Sequence, residues 1–450
     1  MFSLNGKSIR RVGFLGFGRS NAGVLEYLSR HFSDIDVTVR CKNSEDCPKN
    51  FAHRIFFGSD MLKKIDEDVL FISPSARRDI PELTEAIENG VILSSDAEFF
   101  FSNSDADVYG VTGSDGKSTT TLLASRLLSK SYGKAIPSGN IGEAMTPHLD
   151  DDVGTAYVTE LSSFLLMYMK PKTRRAAITN ISKNHLNWHK SFSEYIDAKR
   201  NIFDSARERI INFDCPISRS FARDYDVFAA VSQNLDESAL RNKISAQIYV
   251  TLKDGKINVC GEDMLDTSHI MLGGTHNVAN FMTAIALSYG MCDKDDILSL
   301  AESFRGLRHR CELVGTVNGV KYYDSSIDSS PKRCAQTLNM FSERVTVILG
   351  GRSKGLDFSE LIPALLAKAE RIIITGECAE EIENALNKSP EALEIPRVVI
   401  DDFYDAAEYA KKTSKYGDSV VLSPAATSYD KFKNFEERGD AFAKIINNKE

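Results

Sequence analysis

The segment 109–130, YGVTGSDGKSTTTLLASRLLSK, sets an apolar run, a glycine turn and a helical pattern side by side. The helical part opens on Gly116-Lys117-Ser118, and that order suits a triphosphate. Gly113, Ser114, Asp115 and Gly116 offer backbone N–H groups to phosphate oxygens, and the helix start adds positive field. Lys117 can neutralise β- and γ-phosphates, while Ser118 can join a Mg²⁺ shell and Thr119 stands beside it. The usual loop sets four residues between its first glycine and the Gly-Lys pair. Here that position is Val111, with Gly110 and Gly113 on either side, so the loop is shorter than usual.

Other residues fall near the same edge. Glu160 follows the apolar run TAYV, where phosphate-loop domains carry an acid for Mg²⁺ or water. Asn180 and His185 come just past another apolar run, 174–181. His185 gains weight from that place, whereas His189 reads equally well as a structural histidine. Lys199 lies on the following helical stretch and, by residue type alone, is a solvated surface lysine. The opening GFLGFGRSN (13–21) resembles a dinucleotide turn, but Asn21 stands where the third glycine belongs. The acid expected about twenty residues on is absent from TVRCKN (38–43). This unit is expected to bind a phosphate-bearing ligand other than NAD. In GTHNVAN (274–280), Asn277 and Asn280 can face adenine or ribose, or one can cap the helix. Arg310 in RHR (308–310) supplies a cation that a closing domain could bring to phosphates.

Short apolar runs alternate with longer helical patterns, the signature of βα units and parallel sheets. Runs at 11–18, 34–40 and 66–73 with a helix at 80–90 form a first unit, followed by a mixed stretch at 91–107. The second unit starts at the phosphate loop and adds strands at 154–161 and 174–181. It also has helices at 191–206 and 274–290 and a hairpin at 247–263 turning at Asp254-Gly255. Runs at 344–351, 371–376, 397–402 and 418–425 make a third unit, again a doubly wound sheet. The predicted fold is α/β in three domains. These are a Rossmann-like domain over 1–103, a phosphate-loop ATPase-like parallel sheet over 104–306 and a Rossmann-like doubly wound sheet over 307–450.

Length agrees, since 450 residues exceed one ordinary core. A net charge of −8 argues against nucleic acid as the main partner. No run reaches membrane-spanning length, and the N-terminus lacks the pattern of a signal peptide. The eight cysteines are scattered, and the spacing of Cys41 and Cys47 is wrong for a zinc knuckle. They are expected as free thiols in a cytoplasmic protein.

These pieces, in this order, resemble the ATP-dependent Mur ligases that build the peptide of bacterial cell walls. GSDGKSTT is that family's shortened phosphate loop. SGNIGEA (138–144), ELSSF (160–164), the Asn-His pair before AKRNIF, GTHNVAN and LRHRCE continue the match. So do LGGRSKGLDFSEL (349–361) and LSPAATSYDKFKNFEERGDAF (422–442). The last two point within the family to members that add D-glutamate. The resemblance implies a monomer whose substrates are UDP-N-acetylmuramoyl-L-alanine, D-glutamate and ATP, with two Mg²⁺ ions and an acyl phosphate intermediate. Carried over by position, Lys117, Glu160, His185 and Lys199 are catalytic. Ser118, Glu160, His185 and a carbamylated Lys199 hold metal. Asn277, Arg310 and Asp324 join the loop residues on ATP. Arg19, Ser20, Ser73, Asn140 and Ser162 face the sugar nucleotide, and Ser329, Lys354, Ser428 and Phe435 frame D-glutamate.

The chain also departs from that pattern. Asn184 and Asn187 replace acids near the metals, Leu165 replaces a glutamine, and Cys41 stands near where an acid would hold uracil. YYDSSIDSSPKR (322–333) differs from the common NDSKATN, so the family's aspartate falls at Asp324 or is replaced by Ser325. The alternatives are another Mur-type or folylpolyglutamate-type ligase with a different amino acid, and a nucleotide-binding regulator that has lost turnover.

Overall fold

A computed structural model describes residues 2–4, 6–43, 53–141, 144–151, 153–272, 274–353 and 355–448. Cys47 and Lys354 lie outside the described residues. The chain divides into two compact units, Met1–Phe304 and Arg305–Glu450.

The first unit contains two larger sheets. One is five-stranded and wholly parallel, in the order Arg54–Phe57, Asp36–Cys41, Arg11–Leu15, Val69–Ile72, Ile92–Ser94. Its central strands are covered on both faces, and Val12, Phe14, Val39, Val69 and Phe71 are fully buried. Asn21, in place of a third glycine, is buried and donates to the Gly16 and Phe71 carbonyls at 2.6 and 3.2 Å. Its amide thus closes the first strand–helix turn from within. The mixed stretch 91–107 resolves into the short strand Ile92–Ser94 and the helix Asp96–Asn103, which Ser95 caps through Glu98 N. A three-residue strand is too short to show a period, which is why the sequence left it unassigned.

The second sheet has nine strands. Their order is Glu262–Asp266, Lys256–Val259, Ala246–Lys253, Val227–Ser232, Ala206–Asn212, Thr173–Ile178, Val108–Thr112, Ala156–Glu160, Ala135–Gly139. The hairpin at Asp254-Gly255 is as expected, but a further strand, Glu262–Asp266, pairs onto it. The helix expected over 191–206 ends at Arg200 instead. Ser191 caps its start, a short 3₁₀ turn follows, and Ala206 already begins a strand. The helices Lys117–Tyr132 and Thr275–Ser288 share one core through Leu123, Leu127, Phe281 and Ile285.

The second unit is a six-stranded sheet. Its order is Glu312–Val317, Val320–Asp324, Ser419–Leu422, Val345–Gly350, Ala369–Thr375, Arg397–Val399, and only the first pair is antiparallel. Among the described residues, no helix is long and apolar enough to cross a membrane.

Candidate active site

Three neighbouring parallel strands of the nine-stranded sheet end together and deliver Thr112, Glu160 and Ile178 to one edge. The strand Val108–Thr112 runs into the loop, and the helix Lys117–Tyr132 leaves it. Gly116, the N-cap, has φ 77°, and a Cβ there would lie 2.2 Å from Asn280 Oδ1. A Cβ on Gly113 would lie 1.9 Å from Thr179 Oγ1. Both positions therefore require glycine, and the backbone of the short loop stays open to a ligand.

The loop is fixed from one side. Ser114 N donates to the Asn180 carbonyl at 2.8 Å, and Asp115 N to Asn180 Oδ1 at 3.0 Å. Ser114 Oγ meets Tyr195 OH at 2.8 Å, and Thr179 Oγ1 donates to the Asp115 carbonyl at 2.6 Å. Asn280 makes the second wall. It lies beside Gly116, receives Thr120 Oγ1 at 3.3 Å and donates to Asn277 Oδ1 at 3.0 Å. Gly274 is the N-cap of that helix, so neither asparagine caps it.

Inside this frame lies a compact polar cluster. Ser118 Oγ donates to Glu160 Oε2 at 2.5 Å, and Asn140 Nδ2 donates to Glu160 Oε1 at 2.8 Å. Asn140 N also bonds the Glu160 carbonyl at 2.9 Å. Lys117 Nζ turns back to the Ser114 carbonyl at 2.8 Å, and Thr119 follows on the same first helical turn.

Lys199 is not the surface lysine its residue type suggested. It is 2% exposed, and its amine donates to the Gly113 carbonyl at 2.6 Å and to Thr112 Oγ1 at 3.2 Å. Burial, and then the charge of Lys117, hold its pKa well below the ordinary lysine value. That shift favours the neutral, nucleophilic form of the amine.

His185 has φ 53°, a left-handed backbone that a non-glycine residue rarely adopts. Its ring packs against Phe164 and Tyr195, with centroids at 5.0 and 6.4 Å. That partial burial, then the charges of Lys199 and Lys117, lower its pKa. A neutral imidazole is the form that binds a metal. Asn184 Oδ1 accepts His185 N at 2.8 Å. The Ser118 hydroxyl and the Glu160 carboxylate, which meet here, are oxygen donors of the kind that fit Mg²⁺.

The remaining expected residues of this unit are more dispersed. Arg19 and Ser20 begin the helix Arg19–His31, and Ser73 follows the strand Val69–Ile72, its N–H bonding the Leu15 carbonyl at 2.9 Å. Ser162 caps the helix Ser163–Leu166 through Leu165 N. Leu165 itself is core, packed with Phe100, Tyr157 and Leu161, so no polar contact is vacant there. Cys41 is also core, at 1% exposure, and presents no group to a ligand beside the strand.

In the second unit, Arg310 is exposed, while Asp324 is fully buried. Asp324 accepts His309 Nδ1 at 2.7 Å and Ser326 N at 2.8 Å. Ser329 and Ser428 follow the strands Val320–Asp324 and Ser419–Leu422, at the carboxyl edge of the sheet. Phe435 opens the helix Phe435–Asn447, its ring 6.0 Å from that of His309. Arg438 joins the loops at this edge. It is 2% exposed and donates to Ser326 Oγ and to the carbonyls of Ser326, Gly350, Ala426 and Thr427. Sequence reasoning passed over Thr112, Thr179, Tyr195 and Arg438, and only the FEERG motif around Arg438 carried a signal.

Residues 111–288 match the family described as the Mur ligase middle domain. Residues 309–426 match the Mur ligase, glutamate ligase domain. A UDP-N-acetylmuramoylalanine–D-glutamate ligase of Ruminiclostridium cellulolyticum is 37% identical over 98% of this chain and 97% of its own length. The chain belongs to the Mur ligase family. Ligases of the same name from Acetivibrio thermocellus and Clostridium novyi are 36% and 34% identical. They cover 97% and 98% of this Mur ligase, and 96% and 97% of themselves. The fold matches the crystal structure of UDP-N-acetylmuramate-alanine ligase MurC from Thermotoga maritima. That match has a TM-score of 0.58 at 16% identity, over 97% of this chain and 99% of that one. A pseudomurein peptide ligase type C from Methanothermus fervidus gives 0.51 at 18%, over 98% and 99%.

Proposed function

We propose that this Mur ligase joins D-glutamate to UDP-N-acetylmuramoyl-L-alanine at the expense of ATP, in the cytoplasm and as a monomer, during peptidoglycan precursor synthesis. The observation that carries this reading is the Ser118–Glu160 pair beside the buried Lys199 amine, in a chain similar end to end to ligases of that name.

The substrate carboxylate attacks the γ-phosphorus, ADP leaves, and an acyl phosphate results. The D-glutamate amine adds to that carbonyl and loses a proton, and phosphate departs. Two anions must meet in the first step. The Lys117 ammonium and the N–H groups at the start of its helix lower that repulsion at the phosphate, while the Ser114 and Asp115 N–H groups hold the loop to Asn180. Glu160 and Asn140, joined by a hydrogen bond, set the direction of the Ser118 hydroxyl. In its neutral form, which burial favours, the Lys199 amine adds CO₂ and releases a proton, so that a carboxylate-like group forms on it.

Two Mg²⁺ ions, held by Ser118, Glu160, His185 and carbamylated Lys199, would neutralise phosphoryl oxygens. Asn277, Arg310 and Asp324 serve ATP with the loop. Arg19, Ser20, Ser73, Asn140 and Ser162 serve the sugar nucleotide, and Ser329, Lys354, Ser428 and Phe435 serve D-glutamate. The corresponding functional division is 1–103, 104–306 and 307–450.

The test is phosphate release from ATP with UDP-N-acetylmuramoyl-L-alanine and Mg²⁺, comparing D-glutamate, L-glutamate, glycine and L-lysine. Release with D-glutamate alone, and a product one glutamyl residue heavier, is expected. Release with another amino acid would replace the substrate, and no release would overturn the reading.

A further inference from the structure

His185 sits in an unfavourable backbone region, so its surroundings must hold it there. The Trp188 and His189 N–H groups both donate to the His185 carbonyl at 3.0 Å. The position of His185 is therefore set by what anchors those two residues. Trp188 Nε1 donates to the Ser75 carbonyl at 2.8 Å, and its ring lies 4.5 Å from that of Phe164. His189 is held by Ser163 Oγ at 2.9 Å and Glu194 Oε2 at 3.2 Å.

One side chain gathers these anchors. The Arg77 guanidinium donates to the Trp188 carbonyl at 2.8 Å and to both Glu194 oxygens at 3.0 and 3.1 Å. It lies 4.8 Å over the Trp188 ring. Asp79 orients it through two further bonds, at 2.6 and 2.8 Å. Arg77 stands in the SPSARRD segment (73–79), in the loop that leaves the strand Val69–Ile72 of the five-stranded sheet, whereas His185 lies in the loop that leaves the strand Thr173–Ile178 of the nine-stranded one. The guanidinium thus ties the sugar-nucleotide side of this unit to the turn that aims His185.

We infer that Arg77, acting through Glu194 and Trp188, is a positioning residue for His185. Arg77 touches no reacting group and governs how well the histidine is placed for its metal. This inference rests on the reading of His185 as a metal ligand.

The experiment uses the full chain and the variants Arg77→Ala, Arg77→Lys, Glu194→Gln and His185→Ala. Mn²⁺ binding in the presence of a non-hydrolysable ATP analogue is read by electron paramagnetic resonance, and Mg²⁺ dependence by phosphate release. Melting is followed by circular dichroism. Arg77→Ala is expected to weaken Mn²⁺ binding and raise the Mg²⁺ needed for half-maximal rate by about tenfold. Its KM for D-glutamate should stay within about twofold, with Arg77→Lys and Glu194→Gln in between. Wild-type metal dependence in folded Arg77→Ala overturns the inference, even if that variant melts earlier. If Arg77→Ala does not fold, Glu194→Gln decides by the same criterion. If His185→Ala binds Mn²⁺ as the parent does, the positioning has no target and the inference falls. If the parent forms no product, the proposed function fails, and the Mn²⁺ spectra still decide the role of Arg77.

Discussion

Lys199→Met separates chemistry from folding. The substitution keeps an unbranched apolar stem in a site that is 2% exposed and removes only the amine. Two hydrogen bonds are lost, to the Gly113 carbonyl and Thr112 Oγ1. Each contributes about 0.5–1.5 kcal/mol net, and a carbonyl left without its donor costs about 1–3 kcal/mol. Against this, the substitution removes an amine whose charged form is disfavoured by burial and then by the Lys117 charge. Thr112 Oγ1 keeps its bond to the Leu161 carbonyl at 2.6 Å. The net change in stability is expected to stay within about 2 kcal/mol. Turnover should fall at least about a thousandfold, equivalent to about 4 kcal/mol of barrier, because no carboxylate-like group can form there. Urea unfolding and phosphate release measure the two quantities on one preparation. ¹³C-labelled bicarbonate should give a carbamate resonance in the parent that the variant lacks. Lys199→Ala should regain part of its activity with formate or acetate, which can occupy the vacated space. A Met variant working within tenfold of the parent would refute the reasoning, as would a loss of rate that follows unfolding.

Gly116→Ala forces a Cβ into a backbone at φ 77° and toward Asn280 Oδ1. It should cost at least about 1–2 kcal/mol and abolish binding of a fluorescent ATP analogue. Arg438→Met removes the guanidinium donors to the carbonyls of Ser326, Gly350, Ala426 and Thr427, of which Thr427 keeps Arg352 N, and a loss of about 3–5 kcal/mol is expected in urea unfolding. At His309, burial opposes the charge, but the hydrogen bond and charge of Asp324 outweigh it and raise the pKa above 6.5. The resulting stabilisation is full below that unfolded value and fades as pH rises through the folded one. The parent's urea midpoint should therefore fall, relative to His309→Gln, as pH rises above 6.5; equal midpoint changes would contradict the pairing.

The phosphate loop was legible because its signal is local: glycines, a lysine and a hydroxyl at fixed spacing between a strand and a helix. Lys199 was not legible from its residue type. A lysine on a helix announces nothing, and its polar partners Thr112 and Gly113 are distant in sequence, with only Tyr195 on its own helix. Arg77 is a similar case, since its partners Trp188 and Glu194 lie more than a hundred residues away. Among the strands, those with long apolar runs were visible. Ile92–Ser94 was too short to read, and Glu262–Asp266 carries acids that depress the strand signal.

The departures at Asn184, Asn187 and Leu165 were the only sequence support for a regulator without turnover. Leu165 removes nothing from the site, because it faces the core beside Phe100 and Tyr157. Asn184 keeps an oxygen where an aspartate would have one and uses it to receive His185 N. An amide oxygen accepts that bond as a carboxylate does, so the strained turn at His185 retains its local support. What the asparagine withdraws is one negative charge near the metals. The protein meets the same electrostatic need if a negatively charged carbamate forms on Lys199. Burial lowers the pKa of that amine and so favours the neutral form that such a reaction needs. Asn184→Asp should therefore tighten Mg²⁺ dependence modestly in the parent. It should restore no turnover in Lys199→Met, because charge at residue 184 cannot replace a ligand at residue 199.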